Sequence, residues 1–182
     1  MEENNSLYYQ FADATEFITY VNLYKDKLKS QVYWAKGDDY TELFKKASSL
    51  FDEGKHNEAI DTLRTALEYN PIGFDARFEL VENYIVLKDL NKATEELMEL
   101  SKMLSKNTYI ARFYRRLGYI LIEEQKYEAA YACFIKSKTF EETQQANNEI
   151  AYIRTKTKIG LMFSSDRTLL KNNIPVLKSV NM

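Results

Sequence analysis

Apolar residues through the middle of this chain recur at three- and four-residue spacing, a pattern that predicts amphipathic helices and not strands. Between Tyr40 and Phe140 these stripes come in pairs, each pair joined by a short polar turn. The turns are Gly54-Lys55-His56-Asn57, Lys88-Asp89-Leu90-Asn91 and Glu124-Gln125-Lys126-Tyr127. Gly54 accepts the left-handed backbone that closes a helix, Asn57 is placed to cap the next one, and Pro71 ends it. The pattern also repeats. Ala47 and Ala59 return as Val81 and Ala93 about 34 residues later, and as Gly118 and Ala130 after a further step of about 37. A hairpin of this length cannot bury its own apolar face, so it stacks on a neighbour. The expected fold is all-α: an α-α superhelix, or solenoid of antiparallel helical hairpins, with an exposed groove.

The flanks extend this plan. Residues 1–39 form an N-terminal helical segment, residues 40–142 three hairpins (about 40–73, 74–107 and 108–142), and residues 143–182 a capping helix with a tail. Asp13-Ala-Thr-Glu16 reads as a capping box, with Asp13 accepting from the first turn and Glu16 reaching back. Phe17, Val21, Tyr24 and Leu28 continue as one stripe, which predicts a helix from Ala14 to Trp34. Leu7 to Phe11 fits either a short helix or an extended arm. Glu142 to Lys158 predicts a helix over the open end of the array. A short helix near Ser165–Leu170 and an extended stretch at Ile174–Leu177 follow.

Composition narrows the function classes. Five glycines and two prolines in 182 residues argue against a turn-rich β fold. With 25 basic and 27 acidic residues, net −2, the chain has no global pull toward nucleic acid or an anionic membrane. No apolar run approaches the length that spans a bilayer, and the acidic start does not resemble a signal peptide, so a cytoplasmic setting is expected. The single Cys133 sits among Tyr131, Ala132 and Phe134 and reads as a packed, inert thiol. The single histidine, His56, lies in a helix–helix turn without the partners of a catalytic triad. No cysteine–histidine cluster has metal-ligand spacing and no glycine-rich phosphate loop occurs. No catalytic residue, cofactor or metal is predicted, and the chain is not expected to be an enzyme.

These residues resemble tetratricopeptide repeats. That family places a small residue where the two helices of a hairpin cross, and here those places hold Ala47 with Ala59, Val81 with Ala93, and Gly118 with Ala130. Large apolar residues fill the adjacent interior at Leu50, Tyr84 and Leu121, and at Leu63, Leu97 and Phe134. The departures are Lys46, Arg77 and Leu100, and a terminal proline only in the first unit. The resemblance implies that the first helix of each hairpin lines a concave face. Phe44, Ser48 and Phe51 would lie there from the first hairpin, Phe78, Glu82 and Ile85 from the second. The third would add Arg112, Arg115, Arg116, Tyr119 and Ile122.

Such a groove, apolar at one end and basic at the other, suits a peptide of a partner protein with apolar anchors and an acidic group. A scaffold, adaptor or chaperone role is the leading expectation. Family members that hold heat-shock-protein carboxylates use a Lys/Asn pair, a second Asn and a Lys/Arg pair. The corresponding places here hold Phe44 and Ser48, then Glu79, then Arg112 and Arg116, so that role is disfavoured. The alternative is a structural homo-oligomer or assembly subunit whose groove is filled by its own or a neighbour's N-terminal helix. An RNA-binding repeat is weaker, since no basic stripe is present.

Overall fold

A computed structural model describes residues 6–157. Among them the order is β1 (Leu7–Tyr9), α1 (Ala14–Tyr24), β2 (Val32–Trp34), α2 (Asp39–Asp52), α3 (His56–Tyr69), α4 (Phe74–Val86), α5 (Leu90–Ser101), α6 (Asn107–Glu123), α7 (Tyr127–Phe140) and α8 (Gln144–Lys156). The expected short helix near Ser165 and the stretch at Ile174–Leu177 lie outside the described residues. Two compact units divide the chain, one ending at Lys92 and one starting at Ala93, so the boundary falls inside α5.

In the first unit α2 pairs with α3, and α4 packs on both. The small residues expected at helix crossings are buried, Ala47 and Ala59 almost completely. The turns between paired helices share one geometry. Lys55 N–H donates to Leu50 O (2.8 Å) and Gly54 N–H to Phe51 O (2.9 Å). The α4–α5 turn repeats this with Asp89 to Tyr84 O (2.9 Å) and Lys88 to Ile85 O (3.0 Å). Such paired bonds need a left-handed residue after the helix. Gly54 has φ 74°, but Lys88 adopts φ 60° despite its side chain. Asn57 is not a cap: α3 begins at His56, with no side-chain cap bond from Lys55.

The N-terminal segment departs from the expected single helix. α1 ends at Tyr24, and Val32-Tyr33-Trp34 instead pairs in parallel with β1, Leu7 opposite Val32 and Tyr9 opposite Trp34. The charged residues Lys25-Asp26-Lys27 close the helix in a turn, with Lys27 N–H and Leu28 N–H both on Tyr24 O (2.7 and 2.9 Å), and the β-branched and aromatic residues of Val32–Trp34 then favour a pleated strand. Aromatic contacts fasten α1 to this ribbon. Tyr20 packs edge-on to Tyr9 (5.0 Å) and Phe17 stacks on Trp34 (6.2 Å). Burial, with the hydrogen bond that Tyr20 shares with Tyr9 (3.3 Å), pushes the Tyr20 phenol well above its ordinary range.

Glu16 ties this segment to the helices. Its side chain is buried and reaches back to Ala12 N–H (2.7 Å), while Asp13 caps Thr15 N–H (2.7 Å) and Glu16 N–H (3.1 Å). The same carboxylate accepts from Asn70 Nδ2 (2.6 Å) and from Phe74 N–H (3.3 Å). Phe74 opens α4, whose N-cap Gly73 has no side chain to offer, so Glu16 supplies the missing acceptor from 58 residues away. Asn70 Oδ1 accepts from Gly73 N–H (3.1 Å) and completes the network. Gly73 admits nothing larger: a Cβ there would stand 2.8 Å from Leu67 Cδ2 and 3.0 Å from Asn70 O.

The second unit pairs α6 with α7 and closes with α8 against α7. Its core joins Ala130, Phe134, Ala146, Ile150 and Ile153. At Gly118 the helices approach so closely that a Cβ would lie 2.7 Å from the Phe134 ring. The α6–α7 turn repeats the paired bonds, Lys126 to Leu121 O (2.8 Å) and Gln125 to Ile122 O (2.9 Å), with Gln125 at φ 59°.

Two outcomes check this account. Lys88→Gly and Gln125→Gly relieve left-handed strain, so each should raise the urea-unfolding free energy by about 0.5–1 kcal/mol, against a loss for Gly54→Ala. Glu16→Ala leaves three N–H groups without their acceptor and should cost about 3 kcal/mol in the same measurement, with Glu16→Gln costing less. Unchanged unfolding midpoints would contradict the respective assignments.

Candidate peptide-binding surface

In the first unit, the outward face of α2 carries Phe44, Ser48 and Phe51, all partly exposed. They are held from beneath. Buried Tyr40 stacks on Phe44 (6.3 Å, 15°) one helical turn away. The His56 ring meets Phe51 edge-on (5.0 Å) and bonds Asn83 on α4 through Nδ1 (3.1 Å). Asn83 Nδ2 donates to Glu79 O (2.9 Å), which leaves its Oδ1 as the acceptor for His56. His56 therefore links α3 to α4 as a structural residue.

On α4, Glu82 and Ile85 are partly exposed, but Phe78 is 0% exposed. This corrects the expectation that Phe78 lines a groove. Because α4 packs on both α2 and α3, the residue one turn from Phe74 enters the core. Sequence reasoning also missed Val86 and Leu87, exposed at the end of α4. Their signal was available, since both continue past the last buried turn position.

In the second unit, Arg112 and Arg116 are partly exposed on α6, whereas Arg115 between them is only 9% exposed. Arg115 Nη1 donates to Glu141 Oε2 at 3.0 Å. The expected groove role of Arg115 is thus corrected: its guanidinium is committed to an internal ion pair. Arg116 lies over the Tyr119 ring (5.8 Å). Tyr119 faces α8, donating to Glu149 Oε1 (3.1 Å) and accepting from Gln145 Nε2 (3.0 Å), with its ring edge-on to Phe134. Burial first, and the Glu149 charge second, raise its phenol pKa. Ile122 packs against the same core cluster. Tyr119 and Ile122 are accordingly engaged by the closing helix and core.

The chemistry of reaction is sparse. Cys133 is fully buried and its thiol is pushed up to about 12 by that burial, which makes it a poor nucleophile. Among the described residues no group of His, Cys, Asp and Glu is arranged to hold a metal, and no helix is long and apolar enough to cross a membrane.

Family models described as tetratricopeptide repeat match residues 50–117 and 111–144. A sequence search of curated proteins returns no significant match. The first tetratricopeptide domain of Spaghetti (RPAP3), solved with an HSP90 peptide, is 22% identical over 67% of this chain and 95% of its own, with a TM-score of 0.58. The corresponding human RPAP3 domain is 24% identical over 65% and 91%, TM-score 0.57. The Sgt2 domain from Aspergillus fumigatus is 16% identical over 72% and 87%, TM-score 0.59. At these identities the solved structures speak for the fold alone. With its paired helices, its repeated turns and family matches that together run from residue 50 to residue 144, the chain belongs to the tetratricopeptide repeat family.

Proposed function

We propose that this chain is a non-catalytic binding module that holds a peptide segment of a partner protein, as a scaffold, adaptor or chaperone in a cytoplasmic setting. The observation that carries the reading is the ridge of Phe44 and Phe51 on α2. Both rings stay partly exposed while Tyr40 and Ala47 on the same helix are buried. Large aromatic rings left at a surface and backed by a rigid core are the usual anchors of a binding face. Ser48, Glu82 and Ile85 complete that face in the first unit. In the second unit Arg112 and Arg116 would attract an acidic group, with Tyr119 beneath Arg116.

The Spaghetti domain was solved with the HSP90 peptide SRMEEVD. A carboxylate-holding role does not carry over, because Phe44, Ser48 and Glu79 stand where that role needs a Lys/Asn pair and an Asn. The N-terminal segment supports the groove reading over a self-filled one. Its bonds to the helices go to Asp39 and Tyr40 at the start of α2, to Tyr69 and Asn70 at the end of α3, and to Phe74, all away from the Gly54 turn, and Phe44 and Phe51 stay partly exposed.

A peptide array spanning amphipathic acidic sequences, followed by titration of the best binder, tests the proposal. Phe44→Ser with Phe51→Ser should weaken that binder at least tenfold, and Arg112→Glu with Arg116→Glu should weaken acidic peptides selectively. SRMEEVD should bind no better than a scrambled control. Equal affinity for all variants would overturn the reading.

A further inference from the structure

The N-terminal ribbon holds a second, independent feature. Leu7 N–H donates to Gln31 O (2.9 Å) and Ala35 N–H to Tyr9 O (2.8 Å). In a parallel pair alternate residues face the neighbour, so Gln31, Tyr33 and Ala35 turn toward β1 while Val32 and Trp34 turn away. The far side of β1 is already used, since Gln10 N–H donates to Tyr69 O (2.8 Å). The outer edge of β2 is the one left open among the described residues. Beside it, Tyr33 and Trp34 are 42% and 47% exposed.

That edge runs directly into a cavity of about 590 Å³. Phe11, Trp34, Ala35 and Tyr40 give it apolar walls, Gln10 and Thr41 add polar groups, and Lys36 adds one cation. The volume suits a large side chain with room to enter. Exposed Lys25, Lys27 and Lys29 precede the strand and exposed Lys36 follows it, with Asp26 the lone acid between Lys25 and Lys36. Asp38 and Asp39 end the basic stretch between the lining residues Gly37 and Tyr40, where the Asp39 carboxylate accepts from Gln10 Nε2 (2.6 Å).

We propose that β2 and this cavity form a second binding site, which takes an extended acidic peptide of a partner protein by strand addition. The backbone of Val32 and Trp34 hydrogen-bonds the added strand, the lysines select its charge, and one large apolar side chain enters the cavity. The residues 158–182 of this chain are the wrong charge for the role. They carry Lys158, Arg167, Lys171 and Lys178 against Asp166.

Trp34 is the single tryptophan of the chain and reports directly on the site. The probe is a synthetic peptide, Asp-Val-Glu-Phe-Glu-Val-Asp, compared with its neutral Ser/Thr counterpart and with a version methylated on its backbone nitrogens. The acidic peptide should shift the emission of Trp34 saturably, and the neutral and methylated peptides should bind at least tenfold more weakly. Val32→Pro removes only an outward N–H and should also weaken binding tenfold, as should Lys29→Glu with Lys36→Glu. If Val32→Pro disturbs the fold by circular dichroism, the methylated peptide carries the same test on the unaltered chain. Phe44→Ser with Phe51→Ser should leave this binding unchanged, which separates it from the α2 face. Equal binding of methylated or neutral peptide overturns the proposal. So does a Trp34 response to phosphatidylserine vesicles with none to the acidic peptide, or no response to either.

Discussion

Close approach of paired helices at small side chains is the constraint from which the rest of this structure follows. A hairpin whose helices meet over alanine or glycine brings two backbones near enough to exclude water between them. The large residues one turn away can then interlock. Ala47 and Ala59 do this in the first unit, Gly118 and Ala130 in the second. Once the inner faces are committed in this way, the outer face of α2 is what remains. Its aromatic rings are therefore supported from below without being consumed by the core.

The N-terminal segment depends on a different kind of interaction. A buried carboxylate is costly unless its oxygens are satisfied, and Glu16 finds three N–H partners drawn from its own loop, from Asn70 and from the start of α4. The network positions a small parallel ribbon on the first unit, and with it an open strand edge and a cavity. Polar specificity and apolar packing divide the work here: Glu16 sets where the segment sits, and the Tyr9, Phe11, Phe17 and Tyr20 rings fill the space around it.

Much of the helical architecture was legible because its signals are local. Residue spacing marked the paired helices, and Gly54 marked its own turn. Lys88 and Gln125 adopt the same left-handed backbone, but nothing about a lysine or a glutamine announces it; only the repeat register does. The strand at Val32–Trp34 was hidden because its partner, Leu7–Tyr9, lies a whole helix away in sequence. Parallel pairing across such a crossover leaves no periodic trace. Phe44 and Phe78 looked equivalent, yet Phe78 is fully buried and Phe44 stays partly exposed, a difference that spacing along the chain does not carry. The fate of Arg115 was set by Glu141, on another helix end, and residue type alone could not reveal it.

The close crossing itself is best tested at Gly118. In an open helix, replacing glycine with alanine stabilises by about 1 kcal/mol, because the chain loses less freedom on folding. Here the added methyl would lie 2.7 Å from the buried Phe134 ring, so overpacking should outweigh that gain. Urea unfolding of Gly118→Ala is the decisive measurement. A net loss of about 1–2 kcal/mol is the predicted result, and a gain in stability would contradict the account.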